Sequence, residues 1–519
     1  MNRILIILLL SYAMLTTSLL NAQPALKLMT FNIRLNTARD SANAWPKRTQ
    51  LVESMIDFYA PDLLGVQEAL PDQMEDLKRM LPKFISHGIA RDTGKWGEYS
   101  AIFYRSTRLS LEEGGTFWLS ETPEKPSKGW DAALNRIATW GIFRDKRSGE
   151  RFLYLNTHFD HRGSKAREES AKLLLAQAKA LNPEGLPVLL SGDFNFTPQR
   201  TPYQILTADD AFLDGRLESL TAAHGPASTW SGFEFPGVPE RRIDYIFGRG
   251  AVHFMRYATL TDSWSGRYPS DHLPVMAEVL INPAPVLLQA HAHNDYEHTR
   301  PLLDALSQGF NSVEADVWWW NDKLIVKHNQ PAANAATPDL RTLYLEPLAQ
   351  IAAQNYGRIY PQSDEPFWLM IDLKNEGDQS YRALSLLLQE YHWMLEGDNP
   401  ALRIFLSGNR PIDLASIDLN RIMGIDGRPE DLGRDYSTDF MPVISQRYGK
   451  LVNWGGRGEI PAKEREKLQM LVDQAHAEGK RVRLWASPET EIAWKTLLDI
   501  GVDMINTDDL EGLRRFMLR

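Results

Sequence analysis

"SVEADVWWW", residues 312–320, sets Glu314 and Asp316 two positions apart within an apolar run. On an extended backbone alternate side chains share a face. Both carboxylates then point to one side and form a pair suited to a divalent cation. Trp318 and Trp320 fall on the same face; packing between strand and helices is preferred there over an aromatic wall for a headgroup. Outward from this stretch, "PVLLQAHA", "KLIVKH", "FWLMIDLK", "LRIFLSG", "KRVRLWA" and "DMINTDD" read as further strands. Amphipathic runs such as "RPLLDALSQG" and "AKEREKLQMLVDQAHAEG" separate them. Strand–helix alternation over this length predicts parallel βα units in a barrel-like or doubly wound sheet.

Polar residues cluster at the ends of these strands. His293 ends the first in "AHAHND", His328 follows "LIVK", and Asp372 in "LMIDLK" has Lys374 on its face. In barrels the C-terminal strand ends carry the chemistry. Two histidines and three carboxylates make an acid/base pair around a metal. "QAHAHNDYEH", 289–298, holds three histidines: His293 is the acid/base candidate, His291 lines the site from deeper, and His298, like His392, is a surface residue. Trp485 in "RLWA" is a further aromatic candidate.

The chain has 519 residues, too many for one ordinary core. Pro-rich "INPAPVLLQ", 281–289, follows a strand-like run and reads as a linker. The expected division is a signal peptide over 1–22, a first domain over 25–281, a linker over 282–286 and a second domain over 287–519. The leader "MNRILIILLLSYAMLTTSLLNAQ" has a basic start, an apolar run and a small residue, Ala22, before Gln23. It predicts cleavage after Ala22, no membrane span thereafter, and a periplasmic or secreted protein. There is no cysteine, which excludes disulfides, zinc–thiolate sites and a Cys nucleophile. A net charge of −10 disfavours nucleic acid as partner.

The first block mixes strands, such as "LKLMTFNIRL", "RFLYLNTHFD" and "PVLLSGDFN", with the 3.6-period helices "WPKRTQLVESMIDFY" and "AREESAKLLLAQAKAL". Residues 106–136, rich in Gly, Pro, Lys and Glu, read as a long surface excursion carrying Trp118 and Trp130. Strand ends here repeatedly carry polar groups: Asn32, Glu68, His158, Asp193, Asn195, Asp244, Asp271 and His272. Asp193 and Asn195 share a side, as suits a nucleophilic water and a phosphate oxygen. Asn32 and Glu68 offer hard oxygen ligands that suit Mg²⁺. Asp271–His272 can set a cation on developing phosphate charge. Asp160, His161 and Arg162 read as a solvated loop.

The motifs "TFNIR", "VQE", "NTHFDH", "GDFN", "DYIF" and "SDHLPV", in that order, resemble the endonuclease/exonuclease/phosphatase superfamily of metal-dependent phosphoesterases. The resemblance implies a four-layered α/β sandwich. It implies Glu68 as main metal ligand with Asn32 and Asp271 nearby, Asp193 acting on the attacking water, and Asn195 holding the phosphate. His272 would contact the scissile phosphate with Asp244 orienting it. His158 would be a second catalytic histidine with Glu98 as its carboxylate partner, and Arg136 would read the phosphate.

The second block, through "AHND", "GFNSVEADV", "KLIVKHN", "IDLK" and "GVDMINTDD", resembles glycerophosphodiester phosphodiesterase and phosphatidylinositol-phospholipase-like barrels. That implies a (β/α)8 TIM-type barrel. His293 and His328 match the two catalytic histidines, Glu314, Asp316 and Asp372 the metal ligands, and Lys374 a substrate-binding group. "DLK" looks more like the phospholipase-D-toxin-like branch. Asn294 and Asp295 stand where glycerophosphodiesterases have Arg and Gly, and Asn329 where they have Asp.

These readings predict an α/β protein with two phosphoesterase domains. Mg²⁺ is expected in the first, and Mg²⁺ or Ca²⁺ in the second. The expected substrate is a small phosphoester or a phospholipid headgroup. The alternatives are a secreted nuclease with an auxiliary barrel, and a lipid-headgroup-binding protein whose second domain is degenerate.

Overall fold

The structure is a computed structural model whose described residues are 25–93, 97–235, 241–332 and 338–519. The signal peptide expected over 1–22 lies outside them. The chain divides into two units that part between Pro283 and Ala284.

The strands of the first unit are β1 (Leu26–Asn32), β2 (Leu63–Gln67), β3 (Phe84–His87), β4 (Ile102–Arg105), β5 (Leu109–Trp118), β6 (Ile137–Asp145), β7 (Arg151–His158), β8 (Val188–Asp193), β9 (Leu213–Asp214), β10 (Asp244–Arg249), β11 (Val252–Thr259) and β12 (Val275–Ile281). They form two six-stranded sheets, ordered β11-β12-β1-β2-β4-β3 and β5-β6-β7-β8-β10-β9.

Period-two alternation explains the layering. Leu26 and Leu28 of β1 cluster with Phe143, Tyr154, Leu189 and Ile246 of the second sheet. Met29 and Phe31, on the other face, meet Val52, Met55 and Ile56 of helix Thr49–Tyr59, and Met74 and Leu77 of helix Pro71–Met80. The buried i, i+3, i+4 spacing of Val52, Met55 and Ile56 is the stripe a sheet-covering helix needs. Ala171, Leu174 and Ala178 of helix Ser164–Ala180 cover the second sheet through Leu153, Leu155, Leu190 and Phe247. The result is helix, sheet, sheet, helix.

One part of the sequence reading changes here. Residues 106–136 are not wholly an excursion: β5 is the outer strand of the second sheet and pairs along its length with β6. Its Glu112, Glu113 and two glycines gave it a loop-like composition, because an edge strand is kept polar on its open side.

The second unit contains β13 (Leu287–Ala292), β14 (Phe310–Trp320), β15 (Lys323–Val326), β16 (Phe367–Leu373), β17 (Leu402–Gly408), β18 (Gly424–Gly427), β19 (Val443–Arg447), β20 (Arg481–Trp485) and β21 (Met504–Thr507). Eight of them run parallel in the order β13-β21-β20-β19-β18-β17-β16-β14, and a β13–β14 pairing closes the barrel. "KLIVKH" is not one of its staves. β15 folds back antiparallel on β14 through Asn321 and Asp322, both at positive φ (49° and 57°). Left-handed Asn and Asp suit a tight hairpin turn. The hairpin also settles the tryptophans: Trp318 Nε1 donates to Lys327 O at 3.0 Å, and Trp319 packs on the barrel core.

Candidate active sites

In the first unit three neighbouring strands deliver the central groups. Asp193 at the end of β8 is in register with Asp244 at the start of β10 and with His158 at the end of β7. Gly192 makes this approach feasible. A Cβ there would lie 2.1 Å from Thr157 O, and its φ of +152° is one that side chains avoid. Glu68 and Asn195 follow their strands at φ 62° and 51°, a conformation that non-glycine residues hold only when the surroundings impose it.

Asn32 sits at the junction. Its Nδ2 donates to Glu68 Oε1 at 3.1 Å and Asp193 Oδ2 at 3.0 Å. His272 Nδ1 lies 2.9 Å from Asp244 Oδ2, which also accepts from Thr229 Oγ1 at 2.6 Å. His272 Nε2 lies 3.8 Å from Asp193 Oδ2, and His158 Nε2 lies 3.3 Å from the same oxygen. Asn195 Nδ2 donates to Phe159 O at 3.1 Å and approaches His158 Nε2 at 3.2 Å.

These contacts give the two histidines opposite characters. Burial disfavours charge on His272, but the Asp244 and Asp193 carboxylates overcome it and hold the imidazole well above its ordinary range. Burial and the nearby Arg136 and Arg91 guanidinium groups push His158 well below it. Burial also pushes Asp193 up to about 7, with His272 opposing and Asp244 and Glu68 adding to the rise. Burial raises Asp271 as well. Glu68 is buried too, yet His272, Arg34 and the Asn32 amide hold it below its ordinary value.

Glu68, Asp193 and His272 offer ligand atoms within 4.8 Å of one another. His272, kept charged by Asp244, is a donor and is unsuited to ligation. The carboxylates fit a hard divalent cation: three of them crowd a buried pocket where two are pushed toward protonation. Asp271 is turned toward Arg34 Nε at 3.8 Å.

Two sequence readings are corrected. Glu98 is not the partner of His158; both its oxygens are taken by Arg91, at 2.9 and 2.7 Å, since a buried guanidinium outcompetes a neutral imidazole for a carboxylate. Asp160 is not solvated: it is 2 % exposed and accepts from the N–H groups of Ala133, Arg162 and Gly163 at 3.0, 2.9 and 2.7 Å. It thereby anchors the loop bearing His161, whose Nδ1 lies 3.0 Å from Arg136 Nη2. Arg136 and His161 line a cavity of about 770 Å³ with Arg34, Arg167, Arg200 and Arg241, above Glu68, Asp193 and His272.

In the barrel, Asp316 and Asp372 are in register on β14 and β16, and with Glu314 they place ligand atoms within 4.8 Å of one another. Lys374 Nζ lies 2.7 Å from Asp316 Oδ2 and 3.2 Å from Asp372 Oδ2. Asp316 Oδ1 is buried without a partner, an orphan acceptor of the kind a cation satisfies, so a metal fits this set. Glu314 is paired to Arg483. Burial would raise Glu314, but Arg483 and His291 lower it to about 2. His291 is buried beside Ser312 Oγ at 2.7 Å; burial and Arg483 push it down to about 4, so it is neutral. His293 Nδ1 lies 2.8 Å from Asp508 Oδ1, and His328 Nδ1 lies 2.9 Å from Asp316 Oδ2. Each ring therefore has one nitrogen on a carboxylate and Nε2 to present.

Three residues here escaped the sequence reading. Asp508 was legible only as part of "NTDD". Arg483 stood between apolar Val482 and Leu484 in "RVRLW", and a buried charge demands a partner. Tyr296 Oη lies 2.6 Å from Asn294 Oδ1, 2.7 Å from Asp316 Oδ2 and 3.1 Å from His328 Nδ1.

Comparison with known proteins matches both domains to known families. The Endonuclease/Exonuclease/phosphatase family matches residues 29–272. The AIM6-like phosphodiesterase domain matches 281–395, and the Glycerophosphoryl diester phosphodiesterase family matches 481–511. Altered inheritance of mitochondria protein 6 from Eremothecium gossypii is 30% identical over 278 residues, covering 46% of this chain and 71% of that protein. The Saccharomyces cerevisiae protein of that name is 26% identical over 280 residues, covering 44% and 70%. The chain belongs to the endonuclease/exonuclease/phosphatase family through its first domain and to the AIM6 family through its second. It is a phosphoric ester hydrolase with an endonuclease/exonuclease/phosphatase sandwich followed by an AIM6-like barrel.

Among solved structures, a mannosyl-6-phosphatase from Bacteroides thetaiotaomicron is 38% identical, covering 49% of this chain and 99% of that one, with a TM-score of 0.48. An endonuclease/exonuclease/phosphatase from Bacteroides vulgatus is 34% identical, covering 50% and 100%, with a TM-score of 0.47. The yeast relatives overturn the expectation of a periplasmic or secreted protein, since they are eukaryotic proteins named for mitochondrial inheritance. Among the described residues no helix is long and apolar enough to cross a membrane.

Proposed function

We propose that the chain hydrolyses small phosphoesters at two metal-assisted sites, with phospholipid-derived headgroup compounds as the substrate class. The observation carrying the first site is the Asp244–His272–Asp193 arrangement at the base of an arginine-lined cavity. A phosphoryl group entering it meets the His272 cation, the buried Arg136 and Asn195. Asp193, pushed up to about 7, takes a proton from the attacking water, since a base works best near the working pH. Asp244 holds His272 in place and keeps it charged, so positive charge faces the developing phosphate oxygens. Glu68, with Asp271 beside it, would hold a divalent cation, which would polarise the phosphoryl oxygen. Asn32, expected as a ligand, instead donates from Nδ2 to Glu68 and Asp193 while its Oδ1 accepts from Arg34 N–H, so it orients the carboxylates.

In the barrel, Glu314, Asp316 and Asp372 would hold the cation. His293 and His328 exchange protons with the substrate through Nε2: one removes a proton from the nucleophile and the other gives one to the leaving oxygen. Lys374, between two carboxylates, adds positive charge for the phosphate.

A phosphoester panel with Mg²⁺ or Ca²⁺ tests this on the full chain. It contains bis-p-nitrophenyl phosphate, glycerophosphodiesters, inositol phosphates, sphingomyelin and nucleic acid. Asp193→Ala is expected to remove one set of activities and His293→Ala another. Metal-dependent turnover unchanged by both substitutions sinks both site assignments. Nucleotide release abolished by Asp193→Ala replaces the small-ester reading with a nuclease.

A further inference from the structure

Beyond the C-terminal ends of β19 and β20 lies a second cavity, of about 530 Å³. One wall runs from Arg447 to Trp454 and the other from Ala486 to Pro488. None of its lining residues belongs to the acid/base and metal set of the barrel. In a chain of net charge −10, this cavity is lined by Arg447 and Lys450 and, among the described residues, by no acidic one. The Arg447 guanidinium lies 5.7 Å from the Trp485 ring centroid, a stack that holds the cation without neutralising it. Ser487 also lines the cavity; it is 9 % exposed, and its Oγ is buried with no hydrogen-bond partner. A hydroxyl left in that state costs free energy until an acceptor arrives.

The walls are braced without a ligand. Tyr448 Oη donates to Trp454 O at 2.9 Å, and Trp454 Nε1 donates to Arg457 O at 3.1 Å. Behind the first wall, Glu464 accepts from the N–H groups of Asn453 and Trp454 at 2.9 and 2.8 Å. Thr490 Oγ1 donates to Gly456 O at 2.9 Å and ties the two loops. Gly456, at φ +74°, stands where a Cβ would come within 2.7 Å of Pro488 Cβ, so the loops close to this distance only with glycine there.

We infer that this cavity binds a phosphate group. A tetrahedral oxyanion accepts from a guanidinium, an ammonium and a hydroxyl together, and every group it would meet here is a donor or neutral. The second wall runs on into Glu489, whose Oε2 accepts from Thr507 Oγ1 at 2.7 Å and from the N–H groups of Asp508 and Asp509 at 3.1 and 3.2 Å. Asp508 in turn holds His293. A phosphate in the cavity thus rests on the loop that braces one of the two histidines. Free phosphate and a lipid headgroup share this chemistry.

Hydrogen exchange on the full chain tests the site, with inorganic phosphate and, separately, phosphatidylglycerol vesicles as probes. Amides of 448–454 and 486–488 are expected to gain protection. In Arg447→Ala/Lys450→Ala, half-maximal protection should require about tenfold more probe. Ser487→Ala, which removes one donor and no charge, should weaken it less. Unchanged exchange in the barrel strands shows that each variant is folded. Protection by phosphate alone identifies a free-anion site; protection by vesicles alone identifies a headgroup site. Repeating the measurement in Asp193→Ala/His293→Ala keeps it readable even if the hydrolytic assignments are wrong. Lack of protection by either probe, or equal protection in the Arg447/Lys450 variant, overturns the inference.

Discussion

The Tyr296 hydroxyl lies 2.7 Å from Asp316 Oδ2, the oxygen that His328 Nδ1 and Lys374 Nζ also approach. One phenol thereby joins the stretch after β13 to a metal-ligand candidate and a catalytic histidine. Tyr296→Phe keeps the ring and removes these contacts. The barrel activity is expected to lose about tenfold in kcat with KM nearly unchanged, the scale of one hydrogen bond to a charged group. Steady-state kinetics on the barrel's substrate check it; a rise in KM alone counts against a positioning role for the phenol.

Asp244→Asn removes the charge that keeps His272 cationic. The activity that depends on Asp193 should fall by about 100-fold, while the barrel activity of the same preparation stays level. Equal losses in both would mean a general folding defect, which circular dichroism would expose.

Asp295, beside the candidate His293, is fully buried, and burial pushes its carboxyl up to about 7 from an ordinary 3.8. Its Oδ2 accepts from Leu302 N–H and Tyr344 Oη at 2.5 and 2.8 Å. Between those two values the folded protein keeps a proton that the unfolded chain has released. Stability therefore falls as pH rises through that window. Thermal melts should show Asp295→Asn gaining on the wild type between pH 5 and pH 7.5. A constant gap across that range counts against the raised value.

Arg483 is 3 % exposed and bonded to Glu314 and to Asn506 Oδ1. Arg483→Met strands a buried carboxylate and should cost about 3–5 kcal/mol in urea denaturation. Adding Glu314→Leu should return much of it, although the double variant loses barrel activity. No recovery would mean that the pair is not the reason for the loss.

Chelation followed by Mg²⁺ titration checks the carboxylate sites. Glu68→Gln should raise the Mg²⁺ needed for half-maximal Asp193-dependent turnover by about tenfold or more. An unchanged titration excludes Glu68 as a ligand.

What was legible in the sequence was whatever period two controls. Glu314 with Asp316 could be placed on a common face from spacing alone, whereas β8 ends at Asp193 and Asn195 follows it in a left-handed turn at φ 51°. The sandwich layers came instead from the family resemblance carried by motifs such as "TFNIR" and "GDFN". What spacing could not reach were partners brought together by closure of a sheet. Asp508 meets His293 across 215 residues because β21 lies beside β13. Glu98 illustrates the converse: a carboxylate in the expected place was taken by Arg91, only seven residues away. β15 looked like a barrel stave because an apolar strand reads the same in either direction, and only the Asn321–Asp322 turn distinguishes it.

The lateral alignment of His158, Asp193 and Asp244 on three adjoining strands has a consequence for how this domain tolerates change. Loops beyond those strand ends can lengthen or shorten while the three groups stay level. A single residue inserted within β8 turns Asp193 to the opposite face, beneath the helix Ser164–Ala180. Insertions scanned along the chain should therefore divide sharply, with permissive loops lying next to forbidden strands.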